Sequence, residues 1–140
     1  MKRYSTIFFL IVLFQLTSIS NSFAQRIGDT LEEVRKNYPD GKTDKEKDTW
    51  CYSFLNEEQD YYICFFNKKE KQCYMTFMQP HDVDCMIDMS DYLDQEWSAK
   101  DEYHWESRLS DELVLTCELA EFEGFPLRSF VFAFRLENEK

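Results

Sequence analysis

Three aromatic-rich runs between Trp50 and Met78 constrain the fold more than any other feature of the chain. Short polar segments, residues 56–60 and 67–70, separate the runs, and each begins with asparagine. Aromatic and β-branched residues suit a pleated, half-buried surface, while asparagine favours turns. The spacing therefore predicts a three-stranded antiparallel meander over residues 50–55, 61–66 and 71–78.

The meander contains three of the five cysteines. If each hairpin is centred on its polar turn, Cys51 lies opposite Cys64 and Cys64 lies opposite Cys73, which places them in a row on one face. Because the Cβ atoms of a disulfide approach to roughly 3.8 Å, and because Cys64 has only one close cross-strand neighbour, the row can hold at most one bridge. The alternative is that all three are small buried hydrophobic residues.

The N-terminus has the three-part pattern of a secretory signal peptide. Two basic residues follow Met1, an apolar run spans residues 7–14, and Ser22-Phe-Ala24 provides a small-x-small cleavage site. We expect residues 1–24 to be the signal peptide, and residues 25–140 to form a single domain that is periplasmic or secreted. A domain of that length can bury its own core.

The segment after this signal predicts a first helix. Thr30 can act as N-cap, Glu33 completes a capping box and Pro39 ends the helix. The Ile27-Gly-x-Thr30 opening and the following Glu-Val pair resemble the first helix of the small outer-membrane-assembly lipoproteins and the related β-lactamase-inhibitor-like domains. The resemblance implies helices packed on an antiparallel sheet and a function in binding other proteins. The lipid-attached cysteine of the lipoproteins has no counterpart near Ala24.

A second helix is predicted from Asp82 or Asp84 to about Lys100. Its two sides differ in character: Met86, Met89, Leu93 and Trp97 lie on one side, and Asp84, Asp88, Asp91 and Asp94 lie on the other. This pattern is typical of an amphipathic surface helix with its methionines in the core.

The rest of the chain predicts a second meander, over residues 102–108, 112–119 and 127–136. In its last hairpin, Phe130, Phe132, Phe134 and Leu136 are expected to face Leu113, Leu115, Cys117 and Leu119. Residues 40–48 are expected to form a polar loop. The predicted fold is α+β, with two helices packed on antiparallel sheet in the order α-βββ-α-βββ.

The negative charge is concentrated in one block of the sequence. Residues 82–123 contain 14 acids and 2 bases, whereas residues 25–81 contain 11 acids and 9 bases. Such a block repels nucleic acid and anionic lipid and attracts cations or a basic protein. The acidic block is explained either by solubility or by recognition of a partner. It lacks the glycine and the glutamate that an EF-hand calcium loop needs, so no metal site is predicted.

The inventory of chemically reactive residues is small, with two histidines and three glycines. This excludes glycine-rich phosphate loops and most multi-histidine zinc sites. His81, Asp82 and Cys85 offer a base, a carboxylate and a thiol, but adjacent residues at a helix start point in different directions. No spacing favours pairing of His104 with Cys85 or Cys117. We therefore predict no catalytic residue and no cofactor.

The functional prediction is an exported, non-catalytic module that binds another, basic protein through the acidic face formed by Asp84, Asp88, Asp91 and Asp94. One alternative is a small ligand- or carbohydrate-binding protein that uses Trp97, Tyr103 and Trp105. The other alternative is a hydrolase with a cysteine–histidine pair.

Overall fold

The fold was determined as a computed structural model, which describes residues 27–46, 49–68 and 71–137. The described residues form two helices and eight strands. The helices are α1 (Leu31–Asn37) and α2 (Val83–Glu96), and the strands are β1 (Lys42–Glu46), β2 (Thr49–Leu55), β3 (Tyr61–Phe66), β4 (Cys73–Gln79), β5 (Ser98–Asp101), β6 (His104–Arg108), β7 (Leu113–Ala120) and β8 (Ser129–Leu136). The α+β class with an antiparallel sheet is thus confirmed. The predicted signal peptide lies outside the described residues.

The strands form a single sheet in the order β1-β2-β3-β4-β8-β7-β6-β5, and every neighbouring pair is antiparallel. Each half of the chain contributes a helix followed by a four-stranded meander. The two meanders join where β4 pairs with β8, so the last strand of each half lies at the centre of the sheet.

The predicted order α-βββ-α-βββ lacks the two edge strands and is wrong in that respect. Residues 42–46 were expected in a loop, but they pair with β2. Residues 98–100 were expected in the second helix, but that helix ends at Glu96, and β5 pairs with β6. Both edge strands are short and polar, which protects a sheet edge from pairing with another chain and also removes the apolar pattern by which strands are predicted.

One face of the sheet forms the core. A row of paired residues crosses it from β2 to β6, and every member is buried: Tyr52, Cys64, Thr76, Phe132, Cys117 and Trp105. Leu31 and Val34 of α1 and Met89 and Leu93 of α2 belong to the same core cluster. Both helices therefore contribute their apolar stripes to this one face.

The β7–β8 hairpin has the predicted register. Leu113 pairs with Leu136, Leu115 with Phe134, Cys117 with Phe132 and Leu119 with Phe130.

The local features of α1 are also as predicted, because Thr30 accepts a hydrogen bond from the Glu33 backbone N–H and the Glu33 side chain accepts one from the Thr30 backbone N–H. No helix in the described ranges is long and apolar enough to cross a membrane.

The predicted row of three cysteines is wrong. Cys51 pairs with Phe65 and Tyr52 pairs with Cys64, so Cys51 and Cys64 lie on opposite faces. Cys64 pairs with Thr76, while Cys73 pairs with Phe66 beyond a register shift that leaves Tyr74 of β4 as the extra residue. Cys64 and Cys73 are both buried in the core, and the Cys73 thiol lies 3.4 Å from the hydroxyl of Thr76. Cys73 is a free thiol, which agrees with the alternative that it is a small core residue.

Candidate functional site

Helix α2 presents the predicted acidic residues to solvent. Asp82 caps the helix by accepting a hydrogen bond from the Cys85 backbone N–H at 2.7 Å. Met89 and Leu93 are buried on the opposite side, and Asp84, Asp88, Asp91 and Asp94 are all exposed. The 3.6-residue period of the sequence thus divides the helix into a core side and an acidic side.

Asp94 differs from the other three aspartates because it is bound to the sheet. Its Oδ1 accepts a hydrogen bond from the indole Nε1 of Trp105 at 2.8 Å. Trp105 is buried on β6, and a buried indole N–H needs an acceptor. Asp94 therefore satisfies a core tryptophan, whereas no lysine or arginine in the described ranges forms an ion pair with Asp84, Asp88 or Asp91.

Two aliphatic side chains lie exposed among these aspartates. Val83 is 49% exposed and Ile87 is 48% exposed, and their spacing of four places them one turn apart on the same side of the helix. We call the surface formed by Val83, Asp84, Ile87, Asp88 and Asp91 the acidic helix face. It combines a small apolar ridge with three carboxylates.

A second cluster, formed by the side chains of Asp60, His81 and Cys85, lies beside the N-terminus of α2 and joins two distant parts of the chain. We call it the Asp60 cluster. Asp60, at the end of the β2–β3 turn, is only 2% exposed. Its Oδ1 lies 2.7 Å from the Nδ1 of His81, 2.9 Å from the His81 backbone nitrogen and 3.5 Å from the Sγ of Cys85. One carboxylate oxygen therefore accepts three hydrogen bonds.

The local turn explains why Asp60 points at this place. Asn56 opens the turn, and its Oδ1 accepts hydrogen bonds from the backbone N–H groups of Glu58 and Asp60. Gln59 takes a left-handed conformation, with φ of 71°. The Nδ2 of Asn56 then donates to Oδ2 of Asp60 at 3.1 Å, so both oxygens of the carboxylate are held.

The electrostatics of this cluster oppose nucleophilic catalysis by Cys85. Burial, followed by the negative charge of Asp60, raises the pKa of the Cys85 thiol to about 12. The hydrogen bond to Asp60 also raises the pKa of His81. A cysteine nucleophile needs a base that takes its proton and stabilises the thiolate, but here the imidazole and the thiol both donate to the same carboxylate. The thiol therefore stays protonated at neutral pH.

His104 forms a separate, exposed pair with a carboxylate. Its Nδ1 lies 2.7 Å from Oδ1 of Asp101, and its Nε2 lies 3.5 Å from Glu118. The hydrogen bond to Asp101 is the main cause that raises the pKa of His104. Cys117 is buried on the other face of the sheet, since it pairs with Trp105 while His104 pairs with Glu118. The sheet thus separates His104 from Cys117, and the two side chains cannot form a catalytic pair.

The aromatic residues considered for ligand binding belong mainly to the core. Trp105 is buried, and the ring of Trp97 packs edge-on against Phe132 at a centroid distance of 5.9 Å. Tyr103 is half-buried beneath the guanidinium of Arg128, 4.2 Å from its ring centroid. These three rings do not form a shared open stacking surface.

A cleft of about 650 Å³ lies between the end of α1 and the β2–β3 hairpin. Its lining includes Tyr38, Gly41, Phe54 and Asn56 but neither histidine. A second cleft, of about 460 Å³, contains His104 and the carboxylates around it. The thiol, imidazole and carboxylate of the Asp60 cluster lie in neither cleft.

Comparisons with protein families, with curated proteins and with solved structures find no match for this chain. The resemblance of the first helix to the assembly lipoproteins and β-lactamase-inhibitor-like domains therefore stays a prediction.

Proposed function

We propose that the protein is an exported, non-catalytic binding module that recognises a basic protein through the acidic helix face. The observation that carries this proposal is the exposure of Val83 and Ile87 among carboxylates that form no ion pair with a lysine or arginine of the described ranges. A surface selected only for solubility gains nothing from exposed aliphatic side chains, which favour association. An interface gains from both, since carboxylates orient the partner and the aliphatic contact is buried on binding.

The electrostatics of α2 support the same proposal. The helix carries Asp84, Asp88, Asp91, Asp94 and Glu96 and no basic residue. Like charges one turn apart cost a few tenths of a kcal/mol per pair, and acids in the last turn oppose the helix dipole. The bond from Trp105 offsets this cost at Asp94. At the acidic helix face a basic partner would offset it.

Export is the part of the proposal that rests on residues 1–24 alone. Their charged start, apolar run and small-x-small site support a signal peptide. The partner would then be a basic extracytoplasmic protein.

The test is a pull-down from envelope extract, followed by affinity measurements with the basic protein that is retained. Replacing Asp84, Asp88 and Asp91 together by Asn keeps side-chain size and removes three charges. Loss of three exposed ion pairs with the partner, at about 0.5 kcal/mol each, corresponds to roughly tenfold weaker binding. The loss should shrink as salt brings the Debye length well below about 10 Å.

A matched control removes three charges elsewhere. Glu102, Asp111 and Glu123 are exposed in turns outside α2, and their replacement by the corresponding amides changes the net charge equally. This variant should bind normally. A third variant, Ile87→Ser, should weaken binding by an amount that salt does not change. Equal binding by the triple-Asn variant and its control, or retention of acidic proteins only, would show that the acidic helix face is merely a solubilising surface.

A further inference from the structure

The side chains of Asp60, His81 and Cys85 bring three different metal-binding atoms together. A carboxylate oxygen, an imidazole nitrogen and a thiol sulfur all lie within 4.8 Å of one another. We propose that this cluster is a zinc site, in which Asp60 Oδ1, His81 Nδ1 and Cys85 Sγ are the protein ligands. This inference is independent of the acidic helix face and of any partner protein.

The donor set identifies the class of metal. Zn²⁺ accepts oxygen, nitrogen and sulfur ligands, and zinc sites with three protein ligands complete a tetrahedron with water. Ca²⁺ and Mg²⁺ require oxygen ligands and would leave the thiol and imidazole unused. A mixed set with one thiolate is therefore best suited to zinc among the common divalent ions.

Two of the three distances between ligand atoms fit with small movements, and the third, from His81 Nδ1 to Cys85 Sγ, is within 4.8 Å. Zinc bonds of about 2.0–2.3 Å in a tetrahedron place neighbouring ligand atoms roughly 3.3–3.8 Å apart. The distance from Asp60 Oδ1 to Cys85 Sγ is already 3.5 Å, and the distance to His81 Nδ1 is 2.7 Å. The histidine, whose side chain is 34% exposed, can move outward by the remaining fraction of an ångström.

The surroundings contain the second set of contacts that metal sites use to fix their ligands. Metal-bound histidine usually donates its other ring N–H to a carboxylate. The Nε2 of His81 lies 3.2 Å from Oδ2 of Asp82, and Asp82 is itself held by capping α2. Asn56 holds the second oxygen of Asp60. The groups that would orient His81 and Asp60 are thus already in place.

The protons balance without a further reactant. In the metal-free cluster the thiol proton and the Nδ1 proton both point at Asp60. Zinc binding releases the thiol proton to solvent and leaves a Zn–S bond. The Nδ1 proton also leaves: it moves through water to Nε2 when the ring is neutral, or passes to solvent when the ring is an imidazolium. The neutral imidazole then binds zinc through Nδ1 and carries its single proton on Nε2, facing Asp82. The zinc ion thus takes the place of the two hydrogen bonds that Asp60 accepts from the imidazole and the thiol.

The experiment titrates Zn²⁺ into the full chain, reduced and without a polyhistidine tag, by isothermal calorimetry. One equivalent should bind with saturation. Co²⁺ in place of Zn²⁺ should give a near-ultraviolet sulfur-to-cobalt charge-transfer band together with the visible bands of a tetrahedral site. Because the cobalt spectrum is read on the unaltered protein, this part of the test does not depend on the folding of any variant.

The variants separate the ligands from their surroundings. Cys85→Ser should abolish the charge-transfer band and weaken zinc binding by more than about 100-fold, and Asp82→Asn, which keeps the helix cap, should weaken it about tenfold. Cys51→Ser and His104→Gln are matched controls on the opposite face of the sheet and should bind zinc normally. Absence of saturable 1:1 binding, a cobalt complex without the sulfur band, or unchanged affinity in Cys85→Ser would overturn the proposal.

Discussion

Replacing Asp60 by Asn should destabilise the protein much more than replacing Asp101 by Asn, although each aspartate has an oxygen 2.7 Å from the Nδ1 of its histidine. The difference is burial. The side chain of Asp60 is 3% exposed, and that of Asp101 is 59% exposed. Water can replace the contacts of Asp101, but it cannot reach all the donors that point at Asp60.

The magnitude follows from the donors around Asp60. Oδ1 accepts bonds from the backbone and ring of His81, and Oδ2 accepts one from the Nδ2 of Asn56. Asn56 cannot turn its amide over, because its Oδ1 already accepts two backbone N–H groups. The new amide at position 60 must therefore place its NH₂ group against a donor. One lost bond to a charged acceptor costs about 2 kcal/mol, which for a domain of this size lowers the melting temperature by roughly 8 °C.

Urea unfolding followed by tryptophan fluorescence measures the difference, with a chelator present so that bound metal does not contribute. Asp60→Asn should lower the unfolding midpoint at unchanged slope, because the same surface is exposed on unfolding. At a pH above the folded-state pKa of His104, where that histidine is neutral, Asp101→Asn should leave the midpoint where it is. Equal stability of the two variants would show that burial does not determine the strength of these pairs.

Two further predictions concern β6 and its neighbours. The pKa of His104 is raised chiefly by Asp101. This pair therefore stabilises the fold below the ordinary histidine pKa, and its contribution disappears as the pH rises through the folded-state pKa. Asp101→Asn should lower the His104 pKa in an NMR titration, and an unchanged value would contradict the assignment. Trp105→Phe removes the bond to Asp94 together with part of a buried ring, and the bond alone should account for about 1 kcal/mol of the loss in urea unfolding. In an Asp94→Ala background, which has no acceptor, the same replacement should cost less by that amount, and an equal cost in both backgrounds would contradict the assignment.

The parts of the fold that could be predicted are those where local chemistry and burial agree. The capping box at Thr30 needs only two side chains three residues apart, and both are present. The register of β7 and β8 follows from strict alternation, since a shift by one residue would expose every apolar side chain. Strands β1 and β5 lack both signals. Their side chains are polar, and backbone pairing at a sheet edge holds them in place.

The cysteine row was predicted wrongly because the turns were placed wrongly. The β2–β3 turn contains all five residues from Asn56 to Asp60 and is symmetric about Glu58, so Leu55 pairs with Tyr61. The predicted pairing of Cys51 with Cys64 assumes a centre half a residue earlier. That difference shifts the register by one residue, and a shift of one residue moves Cys51 to the other face. In the next hairpin the error is larger, because Cys64 pairs with Thr76, three residues beyond the predicted Cys73. The connection runs on to the start of β4 at Cys73, and a register shift of one residue between Phe65 and Phe66 places Cys73 opposite Phe66.

The same error of register concealed the Asp60 cluster. In the structure Tyr61 pairs with Gln79, so Asp60, just before β3, and His81, just after β4, meet at the same end of the sheet. The predicted pairing of Cys64 with Cys73 would instead place Asp60 opposite Phe77, inside a strand and far from the start of α2. The sequence identifies His81 and Cys85 as a base and a thiol near a helix start, but the position of the carboxylate that joins them depends on a register that only the turn geometry determines. A polar turn residue therefore became part of a site because Asn56 and Gln59 set where β3 begins.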